Sequence, residues 1–155
     1  GFPVYRPRTF VTGGYQDNVG FGFMTALGVK VAHPDKAVVS IAGDGGFMFG
    51  VAELATAVHH GINLVTIVFN NRSYGNVLRD QRNVFAGREI GALLTNPDFV
   101  KLAETFGAAG YLARTPAELR SALEKALALD RPVIIEVPSE RGSDASPWRF
   151  LHPNA

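Results

Sequence analysis

Short apolar runs alternate with segments of helical periodicity along most of this chain, and turn-forming residues separate one from the next. Four apolar runs predict strands, at residues 37–42, 63–69, 110–113 and 132–137. The run at 63–69 is almost continuous in valine, isoleucine and leucine, which is typical of a parallel strand covered on both faces.

Five segments between and before these runs predict helices. They are residues 20–32, 47–60 and 76–83, a helix opened by Asn96-Pro97-Asp98 that ends at Phe106, and an amphipathic helix that starts at Thr115-Pro116 and has Leu119, Leu123, Ala126 and Leu127 on one side. Residues 84–95 show no clear pattern, and residues 138–155 form an irregular tail. This order predicts one α/β domain over residues 1–155, a doubly wound, mostly parallel sheet with helices on both faces.

The composition narrows the class of protein. Of the 155 residues, 46% are apolar and 19% charged, which is typical of an ordered globular domain. A formal charge of +1 without a basic stripe argues against nucleic acid as a partner, and no apolar run is long enough to span a membrane. The absence of cysteine excludes disulfides and thiolate metal sites, and it is compatible with the cytoplasm. The start lacks an initiator methionine and a signal-peptide pattern, so we expect a fragment of a longer chain.

Two polar loops, each directly after a predicted strand, carry the candidate chemistry. Residues 43–46 are Gly-Asp-Gly-Gly, and residues 70–75 are Asn-Asn-Arg-Ser-Tyr-Gly. In a doubly wound sheet both loops lie on the rim where ligands bind. The carboxylate of Asp44 and the side-chain carbonyl of Asn71 suit magnesium, which fills its other positions with water and phosphate oxygens. Glycines that let backbone amides approach an anion flank both groups, namely Gly43, Gly45, Gly46 and Gly75, and a helix beginning near Phe47 would support anion binding.

Each loop also has an ordinary structural interpretation. Asp44 is a suitable cap for the following helix, and Asn70-Asn71 tolerates the unusual dihedrals of a turn. Taken singly, each loop favours that interpretation. The spacing of the two loops together favours a ligand site.

That spacing resembles the signature of the thiamine-diphosphate-dependent enzymes, a family that includes acetolactate synthases and 2-oxo acid decarboxylases. Gly-Asp-Gly at 43–45 is followed by 24 residues, 46–69, and then by Asn-Asn at 70–71, with a predicted helix and strand between. The similarity extends over roughly residues 9–138. The resemblance implies the diphosphate-binding domain of such an enzyme, with thiamine diphosphate and Mg²⁺ as cofactors.

The resemblance also implies roles for individual residues. The side chains of Asp44 and Asn71 and the backbone carbonyl of Ser73 would bind magnesium. The diphosphate would be bound mainly through backbone amides, by Gly43, Gly45, Gly46, Tyr74 and Gly75. Beside the aminopyrimidine ring, Val19 would take the place of the apolar residue that supports the bent cofactor. The backbone carbonyl of Asp17 would accept a hydrogen bond from the 4'-amino group.

Enzymes of this family decarboxylate or condense 2-oxo acids. Their essential glutamate belongs to a separate pyrimidine-binding domain of the same or a neighbouring subunit. No catalytic residue is therefore expected in this chain, which would be a domain fragment or one subunit of a split enzyme. The resemblance also implies a homodimer or homotetramer. Acetolactate synthases generally carry a tryptophan where this chain has Asp80. This difference weighs against acetolactate synthesis and leaves the substrate open among oxo acids and acyl donors of the oxalyl or benzoylformate type.

The main alternative is a non-catalytic regulatory module that binds a nucleotide or another phosphate ligand on the same fold. A dinucleotide site requires Gly-x-Gly-x-x-Gly and an acidic residue about 20 positions further on, and the sequence after Gly43 matches this pattern only in part. A third interpretation, a purely structural or partner-binding domain, leaves the two polar loops unexplained.

Overall fold

One parallel sheet carries four strands: β1 (Val39–Gly43), β2 (Val65–Asn70), β3 (Ala109–Leu112) and β4 (Val133–Pro138). Their spatial order is β1-β2-β4-β3. After β2 the chain skips one strand position to form β3, and it then returns to form β4 between β2 and β3. The computed structural model describes residues 3–14 and 18–143. Each predicted strand lies within two residues of an observed one, which confirms the parallel α/β sheet.

The described residues form helices on both faces of this sheet: α1 (Phe21–Ala32), α2 (Asp44–Phe49), α3 (Glu53–His59), α4 (Gly75–Asn83), α5 (Phe99–Phe106) and α6 (Pro116–Leu127). Val68 of β2 belongs to a core cluster with residues of α1, α2, α3 and α5, whereas Val65 and Ile67 belong to a cluster with residues of α6. Alternate residues of a strand face opposite sides. The two clusters therefore lie on opposite faces, and the predicted doubly wound arrangement is confirmed.

The single helix predicted for residues 47–60 is wrong. Helix α2 starts at Asp44, immediately after β1, and ends at Phe49, and α3 begins at Glu53 after a turn. At Gly50 an added Cβ would lie 2.9 Å from Cγ of Met24, so α1 packs directly on the backbone there. This close approach explains why the chain changes direction where the local pattern predicts continuity.

A trio of aromatic rings holds α2 against its neighbours. Phe47 is fully buried, and its ring meets Phe23 of α1 edge-on at 5.0 Å and Phe99 of α5 at 5.7 Å between centroids. Edge-to-face contacts of this kind add to the apolar burial of the rings. The helix that begins with Asp44 is thus fixed from two sides by its own apolar residues.

Helix α6 covers the other face and starts as predicted. The hydroxyl of Thr115 accepts a hydrogen bond from the Glu118 N–H, and Pro116 occupies the first turn. The predicted apolar side is wrong in one position, because Leu127 is 46% exposed whereas Ala126 is buried. Neighbouring residues lie about 100° apart around a helix, so a face that buries Ala126 turns Leu127 outward.

The remaining segments contain little regular structure. Residues 84–98 have no helix or strand and one isolated antiparallel bridge, Ser73 to Leu93. Residues 139–143 of the predicted irregular tail have neither helix nor strand, and residues 144–155 lie outside the described part of the chain. No described helix combines the length and apolar character that crossing a membrane requires.

Candidate functional site

Asp44 lies at the carboxyl end of β1, where the strand passes into α2 without an intervening loop. Its side chain is buried, with the residue only 2% exposed. One carboxylate oxygen, Oδ1, accepts the Gly45 N–H at 2.9 Å, and the other, Oδ2, accepts Nδ2 of Asn96 at 2.6 Å. Both donors are uncharged amide groups.

Asn71 lies in the second loop and forms a local turn. Its Oδ1 accepts hydrogen bonds from the backbone N–H of Ser73 at 3.0 Å and from the Ser73 hydroxyl at 2.9 Å. Arg72 between them has a φ of 56°, a left-handed conformation that is uncommon outside glycine. Side chains of asparagine often close such turns on their own backbone. The predicted metal ligand Asn71 thus directs its oxygen toward its own loop.

Asn70, the neighbouring amide, connects the two loops. Its Nδ2 donates to Oε1 of Glu136 at 2.7 Å, and its Oδ1 accepts Nδ2 of Asn96 at 2.9 Å. The same Asn96 amide donates to Asp44. The two polar loops therefore meet on one rim, as the sequence predicts, and Asn96 joins Asp44 to Asn70.

The backbone of Ser73 faces away from the segment that pairs with it. The N–H of Tyr74 donates to the Ala92 carbonyl, and the N–H of Leu94 donates to the Arg72 carbonyl. In an antiparallel pairing of this type the residue between the two hydrogen bonds turns its own N–H and C=O away from the partner segment. Ser73 is that residue, and its N–H points to Oδ1 of Asn71. Its carbonyl therefore faces away from Leu93.

Gly45 of the first loop lies beside an aromatic side chain of the second. The ring of Tyr74 lies against the backbone of Gly45, and it also meets Phe49 edge-on at 6.4 Å between centroids. Gly46 is half-buried, Gly43 is exposed and Gly75 is the first residue of α4. These contacts bring Tyr74 and the first loop together.

Gly20, the neighbour of Val19, packs on α2. A Cβ added at Gly20 would lie 2.9 Å from Cβ of Phe49, and Gly20 adopts a φ of 98° at the start of α1. Val19 itself is 54% exposed. Asp17, the predicted partner of an amino group, lies outside the described residues.

Asn96 is the residue that sequence analysis missed. The segment Asn96-Pro97-Asp98 was expected to cap α5 with proline in the first turn, but the cap is Asp98, whose side chain accepts the Lys101 N–H at 3.0 Å. Pro97 precedes the helix, and the side chain of Asn96 is free to extend to the rim. The only signal in the sequence was that Asp98 is itself a suitable N-cap residue for α5, which leaves Asn96 without a capping role.

Away from the rim, an exposed ion pair ties the following loop to α4. The hydrogen bond between Arg82 and Glu89 raises the pKa of Arg82 and lowers the pKa of Glu89, and the opposite charges act in the same direction. Gln81 also exchanges two hydrogen bonds with the backbone of Ile90. Together these contacts order the approach to residues 92–94, which pair with the second loop.

The donor set on the rim fits a hard divalent cation. The candidate donors are the carboxylate of Asp44, the side-chain oxygen of Asn71 and the backbone carbonyl of Ser73. The last two lie two residues apart in the second loop. Such oxygen donors suit magnesium. Within residues 3–14 and 18–143 no group of three histidine, cysteine, aspartate or glutamate side chains could enclose a metal.

Comparisons with known proteins identify the relatives of this chain. A family model described as thiamine pyrophosphate enzyme, C-terminal TPP binding domain, matches residues 1–137. The acetolactate synthase large subunit of Haemophilus influenzae is 39% identical over 151 residues, which cover 96% of this chain and 26% of that protein. The 2-hydroxyacyl-CoA lyase of Arabidopsis thaliana is 33% identical over 154 residues, covering 96% of this chain and 27% of that protein.

A solved structure shows the same fold. The thiamine diphosphate-dependent 4-hydroxybenzoylformate decarboxylase of Rhodococcus jostii RHA1 matches with a TM-score of 0.75 and 33% identity, over 81% of this chain and 24% of that one. The chain thus spans about a quarter of the length of these relatives.

Proposed function

This chain belongs to the thiamine pyrophosphate enzymes, as their C-terminal TPP binding domain, and from that membership we propose that it binds thiamine diphosphate through Mg²⁺ held on the rim of its sheet. The observation that carries the proposal is the convergence of the two loops. The buried carboxylate of Asp44 and the side chain of Asn70 share the amide of Asn96, which places the Gly-Asp-Gly and Asn-Asn segments side by side.

The proposed metal ligands are Asp44, Asn71 and the backbone carbonyl of Ser73. Asp44 is already oriented, and the carbonyl of Ser73 faces away from Leu93. Asn71 must release the two hydrogen bonds from Ser73, or share its oxygen, when a cation binds. Both lone pairs of the Asn71 oxygen accept from Ser73, and rotation of the Ser73 hydroxyl would free one of them without refolding of the loop.

The diphosphate would be bound by the metal and mainly through backbone amides at Gly43, Gly45, Gly46, Tyr74 and Gly75. Because the N–H groups of Gly45 and Tyr74 donate to Asp44 and to the Ala92 carbonyl, those of Gly43, Gly46 and Gly75 would carry the larger share. Helix α2 has only six residues, so its dipole is a minor contributor and the glycine amides are the principal donors. Val19 and the carbonyl of Asp17 are proposed to contact the aminopyrimidine ring.

When bound, the cofactor supplies the carbon nucleophile and electron sink for chemistry at a 2-oxo acid, and the protein supplies binding and orientation. The residues of this chain anchor the diphosphate and hold the metal. The catalytic glutamate is proposed to come from a pyrimidine-binding domain of the same or a neighbouring subunit, within a homodimer or homotetramer in the cytoplasm.

The substrate class is proposed from the relatives. Their names describe an acetolactate synthase, a 2-hydroxyacyl-CoA lyase and a 4-hydroxybenzoylformate decarboxylase. We therefore propose decarboxylation or condensation of 2-oxo acids. Asp80 lies on α4, which follows the Asn-Asn loop, at the place where the resemblance implies tryptophan in acetolactate synthases. Its presence favours a substrate other than that of acetolactate synthesis.

Calorimetric titration tests the binding. The full polypeptide that carries these residues is titrated with thiamine diphosphate, with and without Mg²⁺, as wild type and as Asp44→Ala and Asn71→Ala. Asp35→Ala and Asn83→Ala, which truncate exposed residues of the same types elsewhere, are the matched controls. We expect metal-dependent binding that both site variants weaken at least tenfold, because outer partners of metal sites alone typically cost about 10- to 100-fold in affinity.

Two results would overturn the proposal. One is wild-type binding that does not depend on Mg²⁺; the other is unchanged affinity in both site variants. Titration with a nucleoside diphosphate in place of thiamine diphosphate tests the regulatory-module alternative. That alternative requires the nucleotide to bind more tightly than thiamine diphosphate. A screen of 2-oxo acids for carbon dioxide release then identifies the substrate.

A further inference from the structure

We propose that Asn96 is a positioning residue of the cofactor site, and that its amide group holds the Asp44 carboxylate in the orientation that binds the metal. This inference rests on the proposed function, since it assigns a role toward the same cation. Asn96 touches neither substrate nor cofactor in the proposal. It acts through Asp44.

The argument starts from the two hydrogens of the Asn96 amide. Nδ2 lies 2.6 Å from Oδ2 of Asp44 and 2.9 Å from Oδ1 of Asn70, so one NH₂ group bridges two oxygens from two different loops. A side-chain amide has two donor hydrogens, and both are used here. The loop before α5 therefore fixes the separation of the Gly-Asp-Gly and Asn-Asn segments.

The orientation of Asn70 is fixed independently. Its own Nδ2 donates to Glu136 at 2.7 Å, and its Oδ1 also accepts the Arg72 N–H at 3.3 Å. Asn70 is buried, so reversing its amide would leave these partners unpaired. The oxygen of Asn70 thus faces Asn96, which makes a donor, rather than an acceptor, the appropriate group at position 96.

The carboxylate of Asp44 keeps binding capacity under this arrangement. A carboxylate has about four acceptor positions, and the N–H of Gly45 and the amide of Asn96 occupy one on each oxygen. The remaining positions are free for a cation. Two donors on opposite oxygens fix the rotation of the carboxyl plane, and preorganised ligands reduce the cost of ordering the site when metal binds.

The alternative role for Asn96 is direct ligation through its side-chain oxygen. Substitution by aspartate separates the two roles, because aspartate has nearly the same shape but two acceptor oxygens. If Asn96 were a ligand, Asn96→Asp would bind a divalent cation as tightly or more tightly. If the donor group is what matters, Asn96→Asp sets a negative oxygen against Asp44 and Asn70, and metal binding weakens.

The experiment measures Mn²⁺ binding by electron paramagnetic resonance on the full polypeptide, at saturating thiamine diphosphate. Wild type is compared with Asn96→Asp and Asn96→Ala, and Asn83→Asp at an exposed position controls for the added charge. We expect about a 10-fold or greater loss of Mn²⁺ affinity in both site variants. We also expect a changed spectrum of the bound ion, which a role confined to folding would not produce, and no change in the control.

The outcomes separate this inference from the proposed function. If wild type does not bind Mn²⁺ with the cofactor, the proposed function fails. If wild type binds and Asn96→Asp binds equally or more tightly, with an unchanged spectrum in Asn96→Ala, the positioning role is overturned and the proposed function stands. Circular dichroism without metal identifies a variant that does not fold, in which case Asn96→Ser, whose hydroxyl cannot span both oxygens, replaces it.

Discussion

The ring of Tyr74 lies directly against the backbone of Gly45, so that a Cβ added at position 45 would approach Cδ1 of the ring to 2.7 Å. The two residues belong to different polar loops and to opposite ends of the Gly-Asp-Gly to Asn-Asn motif. Their contact means that the first loop tolerates only glycine at position 45 while Tyr74 keeps its place.

Gly45→Ala is therefore expected to destabilise the protein by about 1–3 kcal/mol, the usual cost of overpacking. Gly46→Ala is the matched control, since a Cβ there would meet its nearest neighbour, the backbone nitrogen of Gly20, only at 4.0 Å. It should be neutral or stabilise α2 by about 0.5–1 kcal/mol. Urea denaturation of the 155-residue chain measures both. In the double variant with Tyr74→Ala, most of the cost of Gly45→Ala should disappear; strictly additive effects would contradict the contact.

Phe47→Ala should be among the most damaging core substitutions. The side chain is fully buried between Phe23 and Phe99, and large-to-small changes of this type cost about 3–5 kcal/mol. Phe49→Ala, in the same helix and chemically identical, removes a ring that is 61% exposed and should cost less than about 1 kcal/mol. Equal urea midpoints for the two variants would show that α2 does not pack as described.

Glu136 supports the rim because its Oε1 accepts a hydrogen bond from the side chain of Asn70. Glu136→Ala removes the partner of Nδ2 of the buried Asn70, and an unsatisfied buried donor costs about 1–3 kcal/mol. Glu136→Gln retains a side-chain oxygen at the same reach and should cost clearly less. Thermal unfolding of the two variants without cofactor measures the difference. Equal losses would indicate that the charge of Glu136, and not its hydrogen bond to Asn70, is what stabilises the fold.

Asp98 should make stability depend on pH in the acid range. The backbone N–H of Lys101 holds the pKa of this capping carboxylate below its ordinary value, with a smaller contribution from the Lys101 charge. A lowered folded pKa stabilises the fold above the unfolded value, about 3.9, and this contribution is lost as pH falls through the folded pKa. Asp98→Asn keeps a good cap without the charge.

The melting temperatures of wild type and Asp98→Asn, measured from pH 3 to pH 7, test this expectation. The advantage of wild type should be constant above about pH 5 and should shrink below about pH 4, where aspartate takes up its proton. A difference that stays the same over the whole range would exclude the ionised cap.

The fold followed from local patterns because each strand is a short, mainly apolar run bounded by turn residues. The sequence located the strand ends within two residues, and with them the rim on which Asp44 and the Asn-Asn segment meet. It could not distinguish Asn70 from Asn71. Adjacent residues at a strand end point in different directions, and the structure places Asn70 in the network with Glu136 while Asn71 closes its own turn.

The features that sequence analysis missed depend on distant contacts. Asn96 bonds to residues 52 and 26 positions earlier, and a local pattern carries no trace of either partner. The interruption at Gly50 depends on Met24 of another helix. In both cases the local pattern correctly indicated a helix, but contacts between distant elements determined the role of Asn96 and the break at Gly50.

The direct passage from β1 into α2 restricts how this protein can vary in length. Gly43 is the last residue of the strand and Asp44 the first of the helix, so no slack lies between the sheet and the carboxylate. One residue inserted or deleted within β1 would move position 44 by about 3.3 Å. It would also turn every side chain between the altered residue and position 44 to the opposite face of the sheet. Insertions are better tolerated at the exposed turn of residues 60–61, where sequences of different length can leave the site untouched.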